Sequence, residues 1–314
     1  VSGQPGRSCP LGYRYRPEQL ADTAERWPED VLLVAGGLYG NPFALDALEA
    51  MAAAERARGH RVRLLFNGDF NWFNAEPELF RDINRRVLSH DAMLGNIEFE
   101  LANPSDAAGC GCSYPAFIDQ GVVERSNRIM RRLQQEAAQT PEIGEHLAAL
   151  KRWRFGIFGG LNILVVHGDG DSLAGWGLSR EAFAAGNHPQ VSEWFDRSGA
   201  DVIVSSHTCL PLLWSGEAGG RPCLVANNGS AGMANLAGDP RGLVVRISSK
   251  TAIYDSVARC SAGPVTVELV PLAFDVDRWL ALFDQLWPKG SEAALSYRQR
   301  IVNGPSLEPN RLVL

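Results

Sequence analysis

The chain has 314 residues, 45% of them hydrophobic and 21% charged, which is enough apolar material for a full core and excludes a disordered or collagen-like chain. Thirty basic against 36 acidic residues leave a formal charge of −6, which excludes a general nucleic-acid binder, because such a protein needs a basic surface to neutralise phosphates. A small phosphate-containing ligand stays compatible with that charge.

Residues 1–28 read as an irregular arm with one short helix from about Pro17, and 29–314 as a single domain. The first residues are polar and carry no apolar signal-peptide stretch. Asp30 to Ala35 is an apolar strand running into a glycine-rich turn, Gly36 to Gly40. Asn41 as cap and Pro42 in the first turn start a helix that runs to Arg58. A strand over Arg61–Phe66 ends in Asn67-Gly68-Asp69. A helix over Pro77–Ser89 follows, then a short strand over Asp91–Gly95 that ends at Asn96.

Residues 103–117 are a loop with Pro, Gly and the pair Cys110 and Cys112. That pair is one ligand pair short of a zinc site. The six cysteines are widely scattered, so reduced thiols and a cytoplasmic protein are expected. Two helices are expected between Val122 and Leu150. Arg154–Phe158 and Asn162–Val166 form a hairpin around Gly159-Gly160. The longest apolar run, around Phe155 to Val166, holds Gly and Asn and stops at His167, so no membrane span is expected.

Short helices over Ser179–Ala185 and Pro189–Ser198 precede a strand, Asp201–Ser205, which leads to His207. Strands over Pro222–Ala226, Gly242–Ile247 and Val265–Val270 follow, and a closing helix spans Phe274–Leu286. The pattern is α/β with more than one sheet layer.

Four strand ends carry residues capable of chemistry: Asp69, Asn96, His167 and His207. Ligands of open α/β sheets collect at the carboxyl ends of strands. One carboxylate, one amide oxygen and two imidazoles suit Mn, Fe or Zn.

On these motifs, over about residues 30–272, the chain resembles the calcineurin-like metallophosphoesterases. Residues 34–48 resemble the opening D-x-H-G-N turn and its helix, and Asn67-Gly68-Asp69 resembles the G-D motif. Gly95-Asn96-Ile97-Glu98 resembles G-N-H-E, His167 the fourth-motif histidine, and Ser206-His207-Thr208-Cys209 resembles G-H-T-H. Asn228-Gly229-Ser230 resembles the N-P-G-S turn. The resemblance implies a four-layer α/β/β/α sandwich.

It also implies two metal seats with different fates. One keeps its whole set, Asp69, Asn96, His167 and His207. The other keeps only the shared Asp69, because Gly37, Tyr39 and Cys209 stand where the family has Asp, His and His. One divalent ion, rather than two, is expected. The family's proton-donating histidine is Ile97 here.

Glu98, Cys209 and Tyr39 are therefore candidate catalytic groups. Glu98 is a proton donor if its pKa is raised, Cys209 a thiolate nucleophile or soft ligand, and Tyr39 a phosphate donor or iron ligand. The alternative for each is packing. Asn41 and Asn228 are expected to shape the phosphate side, Trp176 to stack a ring, and Arg180 to clamp phosphate. Substrate selection is expected from Pro104–Gln120 and Asp169–Ser179.

Three functions stay open. The first is a metal-dependent hydrolase of a phosphomonoester or phosphodiester. The second is a non-catalytic binding or regulatory module on the same fold. The third is different single-metal chemistry involving Cys209.

Overall fold

The computed structural model describes residues 4–314. The arm carries helix α1 (Pro17–Ala21) and a two-residue strand β1 (Glu25–Arg26). Next come β2 (Val31–Ala35), α2 (Pro42–Ala57), β3 (Val62–Phe66), α3 (Pro77–Val87), β4 (Asp91–Ala92), α4 (Asn96–Ala102), α5 (Gln120–Ala137) and α6 (Pro141–Ala148). The second half holds β5 (Trp153–Phe158), β6 (Leu161–Val166), α7 (Arg180–Ala184), α8 (His188–Ser198), β7 (Val202–Ser205), β8 (Leu212–Ala218), β9 (Arg221–Asn227), β10 (Gly242–Ser248), β11 (Ala258–Ala262), β12 (Val265–Leu272), α9 (Val276–Leu286) and α10 (Glu292–Asn303).

The strands form two six-stranded sheets, ordered β1-β5-β6-β7-β9-β8 and β11-β12-β10-β2-β3-β4. Alternation in each central strand explains the layering. In β2, Val31, Leu33 and Ala35 face a core shared with α2, α3, α5, α9 and α10, while Leu32 and Val34 face the other sheet. In β6, Leu164 and Val166 face the core under α8, and Ile163 and Val165 face inward between the sheets. The result is the four-layer α/β/β/α sandwich. Among the described residues no helix is long and apolar enough to cross a membrane.

Besides β1 in the arm, four elements differ from the sequence expectation. Helix α4 starts at Asn96, which had read only as a strand end, and Glu98 accepts the Gly95 N–H at 3.1 Å as its capping contact. Strand β11 lies at a sheet edge, and strand β8 ends the other sheet. Neither shows a clean apolar alternation. Helix α10 follows the expected closing helix and fully buries only Ala293 and Ile301, so its apolar period is weak.

The arm is built into the sandwich. Strand β1 pairs in parallel with β5. Tyr13 is buried and donates its hydroxyl to Glu100 Oε1 at 2.6 Å. The second oxygen of Glu100 is buried without a partner. Burial pushes the Glu100 carboxyl up to about 7, whereas an unfolded glutamate titrates near ~4.3. Between those values the folded chain holds a proton that the unfolded chain has released, so this contribution is lost as pH rises through 7. A Glu100→Gln variant removes the titration and keeps the shape. Its melting temperature is expected to exceed the parent's at pH 8 and to converge with it at pH 5. Thermal melts at both values check this, and an equal gap at the two would contradict it.

Candidate metal centre

The parallel strands β2, β3, β6, β7 and β9 end at one edge of the sandwich, and their loops meet there. The turn after β3 needs glycine at position 68. Its φ is +95°, and a Cβ there would lie 2.5 Å from the Gly95 backbone and 2.7 Å from His167 Nδ1. This close approach seats Asp69, itself left-handed at φ 55°, against the start of α4.

Asp69, His167 and His207 are buried and present ligand atoms that all lie within 4.8 Å of one another. His167 Nε2 lies 3.1 Å from Asn96 Oδ1, 3.1 Å from His207 Nδ1 and 3.3 Å from Asp69 Oδ1. The opposite ring nitrogens face carbonyl oxygens. His167 Nδ1 is 2.8 Å from Asn67 O, and His207 Nε2 is 3.0 Å from Cys112 O. A carbonyl only accepts, so each of those nitrogens carries the proton. Asn96 Nδ2 donates to Cys110 O at 3.0 Å, which turns its oxygen inward.

When both rings are neutral, as ligation of a cation through His167 Nε2 and His207 Nδ1 requires, four acceptors converge with no donor among them. Such a set of acceptors suits a cation, and the mixed N/O donors fit a divalent transition metal. Burial and the neighbouring His167 lower His207 to about 4, which keeps its lone pair free at neutral pH. Burial works against a proton on His167, but the Asp69 carboxylate outweighs it and raises that group.

Known structures share this framework. No family model and no curated protein matches the sequence. A metallophosphoesterase from Sphaerobacter thermophilus aligns over 85% of this chain and 98% of its own, with a TM-score of 0.54 and 16% identity. A hypothetical protein from Pyrococcus horikoshii aligns over 88% and 99%, with a TM-score of 0.59 and 14% identity. The chain has the metallophosphoesterase fold.

Beside the four acceptors, Tyr39 and Cys209 close on each other, with Tyr39 Oη 2.6 Å from Cys209 Sγ. A Cβ on Gly37 would lie 2.9 Å from the Tyr39 ring. Gly37, Tyr39, Asp69 and Cys209 all have φ between 55° and 58°. A left-handed backbone is costly for Tyr and Cys, and no turn chemistry of their own recommends it. Asp, Asn and His adopt it more readily. Burial raises both the Cys209 thiol and the Tyr39 phenol, so both stay protonated at neutral pH. A thiolate nucleophile and a phenolate ligand are thereby disfavoured.

Several residues expected at the site make their contacts elsewhere. Glu98 is buried, and its two oxygens accept four N–H bonds: Asp69 N at 2.7 Å, Gly95 N at 3.1 Å, Asn71 N at 3.1 Å and Asn71 Nδ2 at 3.2 Å. Burial and Asp69 push its pKa up to about 7, and the backbone donors oppose that shift. With both oxygens engaged by N–H donors it holds the Asp69 turn, and it is not among the residues that line the cavity. Asn41 caps α2 through Phe43 N and Ala44 N and ties to Gly232 O. Asn228 donates to Asn67 Oδ1 and Val34 O beneath the site. Neither lines the cavity at the site. Arg180 donates to Pro211 O and Arg311 O and lines a separate cavity. Cys110 and Cys112 lie side by side with their sulfurs in contact and their Cα atoms 5.4 Å apart.

The loop that carries them has a positioning role that its spacing did not reveal. Its carbonyls accept from Asn96, from His207 and, at 3.1 Å, from Trp176 Nε1. The cavity over the ligands holds about 360 Å³ and is walled by Trp176, Tyr114, Phe117, Ile97 and Tyr297. Both predicted selection loops contribute to it. Its guanidinium comes from Arg300 on α10. The sequence reading stopped at α9 and missed it.

A Glu98→Gln variant tests the turn-holding role. An amide nitrogen would face two N–H donors, so at least one side of the carboxylate's contacts is lost. Stability is expected to fall by ~1–3 kcal/mol, and metal affinity by about 10- to 100-fold. Thermal melts and a metal titration check both. Unchanged metal affinity would remove Glu98 from the support of Asp69.

Proposed function

We propose that the chain is a metal-dependent hydrolase of a phosphate ester that works with one intact metal seat. The carrying observation is the convergence of four acceptors whose opposite nitrogens are pinned by carbonyls. Asp69, Asn96, His167 and His207 hold one ion in this reading, of the Mn, Fe or Zn class. A divalent ion bound there supplies Lewis-acid charge to a phosphoryl oxygen and to an attacking water. The chain's own residues do the rest. Asn67 O and Cys112 O orient the two rings, Glu98 holds Asp69, and the aromatic walls limit access of bulk water.

The second seat of the fold is dismantled in this reading, with Tyr39 and Cys209 packed into it. The four left-handed residues around it support that view, since their backbone suits Asp and His better than Tyr and Cys. The ligand is a small phosphate compound, and the protein is cytoplasmic.

Metal content per purified chain, paired with hydrolysis of 4-nitrophenyl phosphate after loading with Mn, Zn or Fe, tests the proposal. One ion per chain with turnover is the expected result. One ion without turnover would make the chain a binding module. No ion after loading would end the hydrolase reading and that of other single-metal chemistry together.

A further inference from the structure

The cavity over the metal ligands contains a charge that the intact seat does not explain. Arg300 reaches it from α10, and its guanidinium donates to Cys209 O. Its Nε is buried without a hydrogen-bond partner. Among the described residues no carboxylate lies within ion-pair distance of it, in contrast to Arg63, Arg86, Arg154 and Arg246. Arg132 and Arg180 also rest on backbone carbonyls alone, but Arg300 is the arginine that lines this cavity. An unpaired guanidinium in a largely apolar cavity is costly unless an anion completes it. Its charge is felt at Tyr39 and Cys209, the two side chains that close the second seat.

The rest of the lining is aromatic. Trp176 meets Phe117 edge-on at 6.1 Å, Tyr114 at 6.2 Å and His207 at 5.6 Å. Phe117 stands 62% exposed on the lining, an apolar ring without a full cover. The lining holds no imidazole besides His207 and no carboxyl besides Asp69 and Glu181. Glu181 is exposed, and Glu98 is fully engaged. A leaving group that needs a strong proton donor is poorly served there.

We propose that Arg300 clamps a phosphoryl oxygen on the side of the closed second seat, and that the Trp176–Phe117–Tyr114 wall takes a planar aromatic leaving group. The fixed fork of a guanidinium matches two phosphoryl oxygens. The ring wall gives stacking area to a flat leaving group, and a phenolic oxygen leaves without full protonation. The substrate class is thus a phosphate ester of a planar aromatic alcohol. This inference rests on the hydrolase reading above for its leaving group, but the anion clamp is measurable without turnover.

The first test is calorimetric binding of inorganic phosphate to the metal-loaded protein and its variants. Arg300→Ala is expected to weaken phosphate binding about 10- to 100-fold with metal content unchanged. Arg300→Lys keeps the charge without the fork and is expected to recover part of that loss. It also controls for a fold defect in the alanine variant. Equal phosphate affinity in parent and both variants would overturn the clamp.

The second test compares 4-nitrophenyl phosphate with glycerol phosphate. Trp176→Leu also loses the bond to Cys112 O for both substrates, so the expected result is a rise in KM about tenfold larger for the aryl ester than for the alkyl ester. Equal effects on both would overturn the aromatic wall. Arg300-dependent phosphate binding without any ester turnover would support the clamp while ending the hydrolase reading.

Discussion

A His207→Ala variant is expected to emerge from purification without metal, while the parent retains one ion. His207 supplies one of only four ligand atoms, and its ring cannot be replaced by a neighbour. Nearby Asn96 and His167 are already ligands, and Trp176 Nε1 is committed to Cys112 O. Loss of an outer partner of a ligand costs about 10- to 100-fold in affinity, so loss of the ligand itself should exceed that range. Alanine also removes one of the two donors to Cys112 O, Trp176 Nε1 being the other, which loosens the loop that orients Asn96. Elemental analysis after exhaustive dialysis reads the outcome. His188→Ala is the matched control, because that ring packs beside Phe183 and Trp214, away from the ligands. Metal retained by the alanine variant at position 207 would show that the ion sits elsewhere, and activity should follow metal content in both variants.

The chain made its core strands readable because both faces of each are buried. Near-continuous apolar runs such as Val31–Ala35 and Leu161–Val166 left little alternative. The convergence of the four candidate ligands was readable because each stands within four residues of a strand's carboxyl end: Asp69 after β3, Asn96 after β4, His167 after β6 and His207 after β7. Roles that depend on orientation were not readable. Asn41 and Asn228 occupy the expected turns, yet their amides point into backbone and knit loops together. Glu98 sits one residue from Ile97, and helix geometry turns it to the Asp69 backbone instead of the cavity. Arg180 and Arg300 are both arginines on helices. Only the packing of α10 against α5 brings the second one to the site, and that packing rests on so few buried residues that no periodicity announces it. The Cys110–Cys112 loop shows the same limit. Its spacing resembled half a zinc site, whereas its backbone carbonyls orient Asn96 and His207.

The combined variant Gly37→Asp, Tyr39→His and Cys209→His is expected to bind a second ion per chain. The backbone already has the required form, because all three positions are left-handed and Asp and His adopt that region more readily than Tyr or Cys. The changes must be made together. Aspartate at position 37 alone would drive its Cβ to 2.9 Å from the Tyr39 ring, so the single variant should lose stability and gain no metal. Histidine at position 39 removes that ring, and histidine at position 209 replaces a thiol that burial keeps protonated. Arg300 works against the gain, since its guanidinium is held by the Cys209 carbonyl and repels a second cation. Adding Arg300→Ala to the triple variant should therefore tighten the second site while weakening phosphate binding at the first. Two ions in the triple variant, tightened by the fourth change, would mean that a guanidinium and a metal ion compete for the same role in this cavity. One ion per chain in every combination would mean that the turn after β2 never aligned with a metal seat, and the reading of Tyr39 and Cys209 as its fillers would fall.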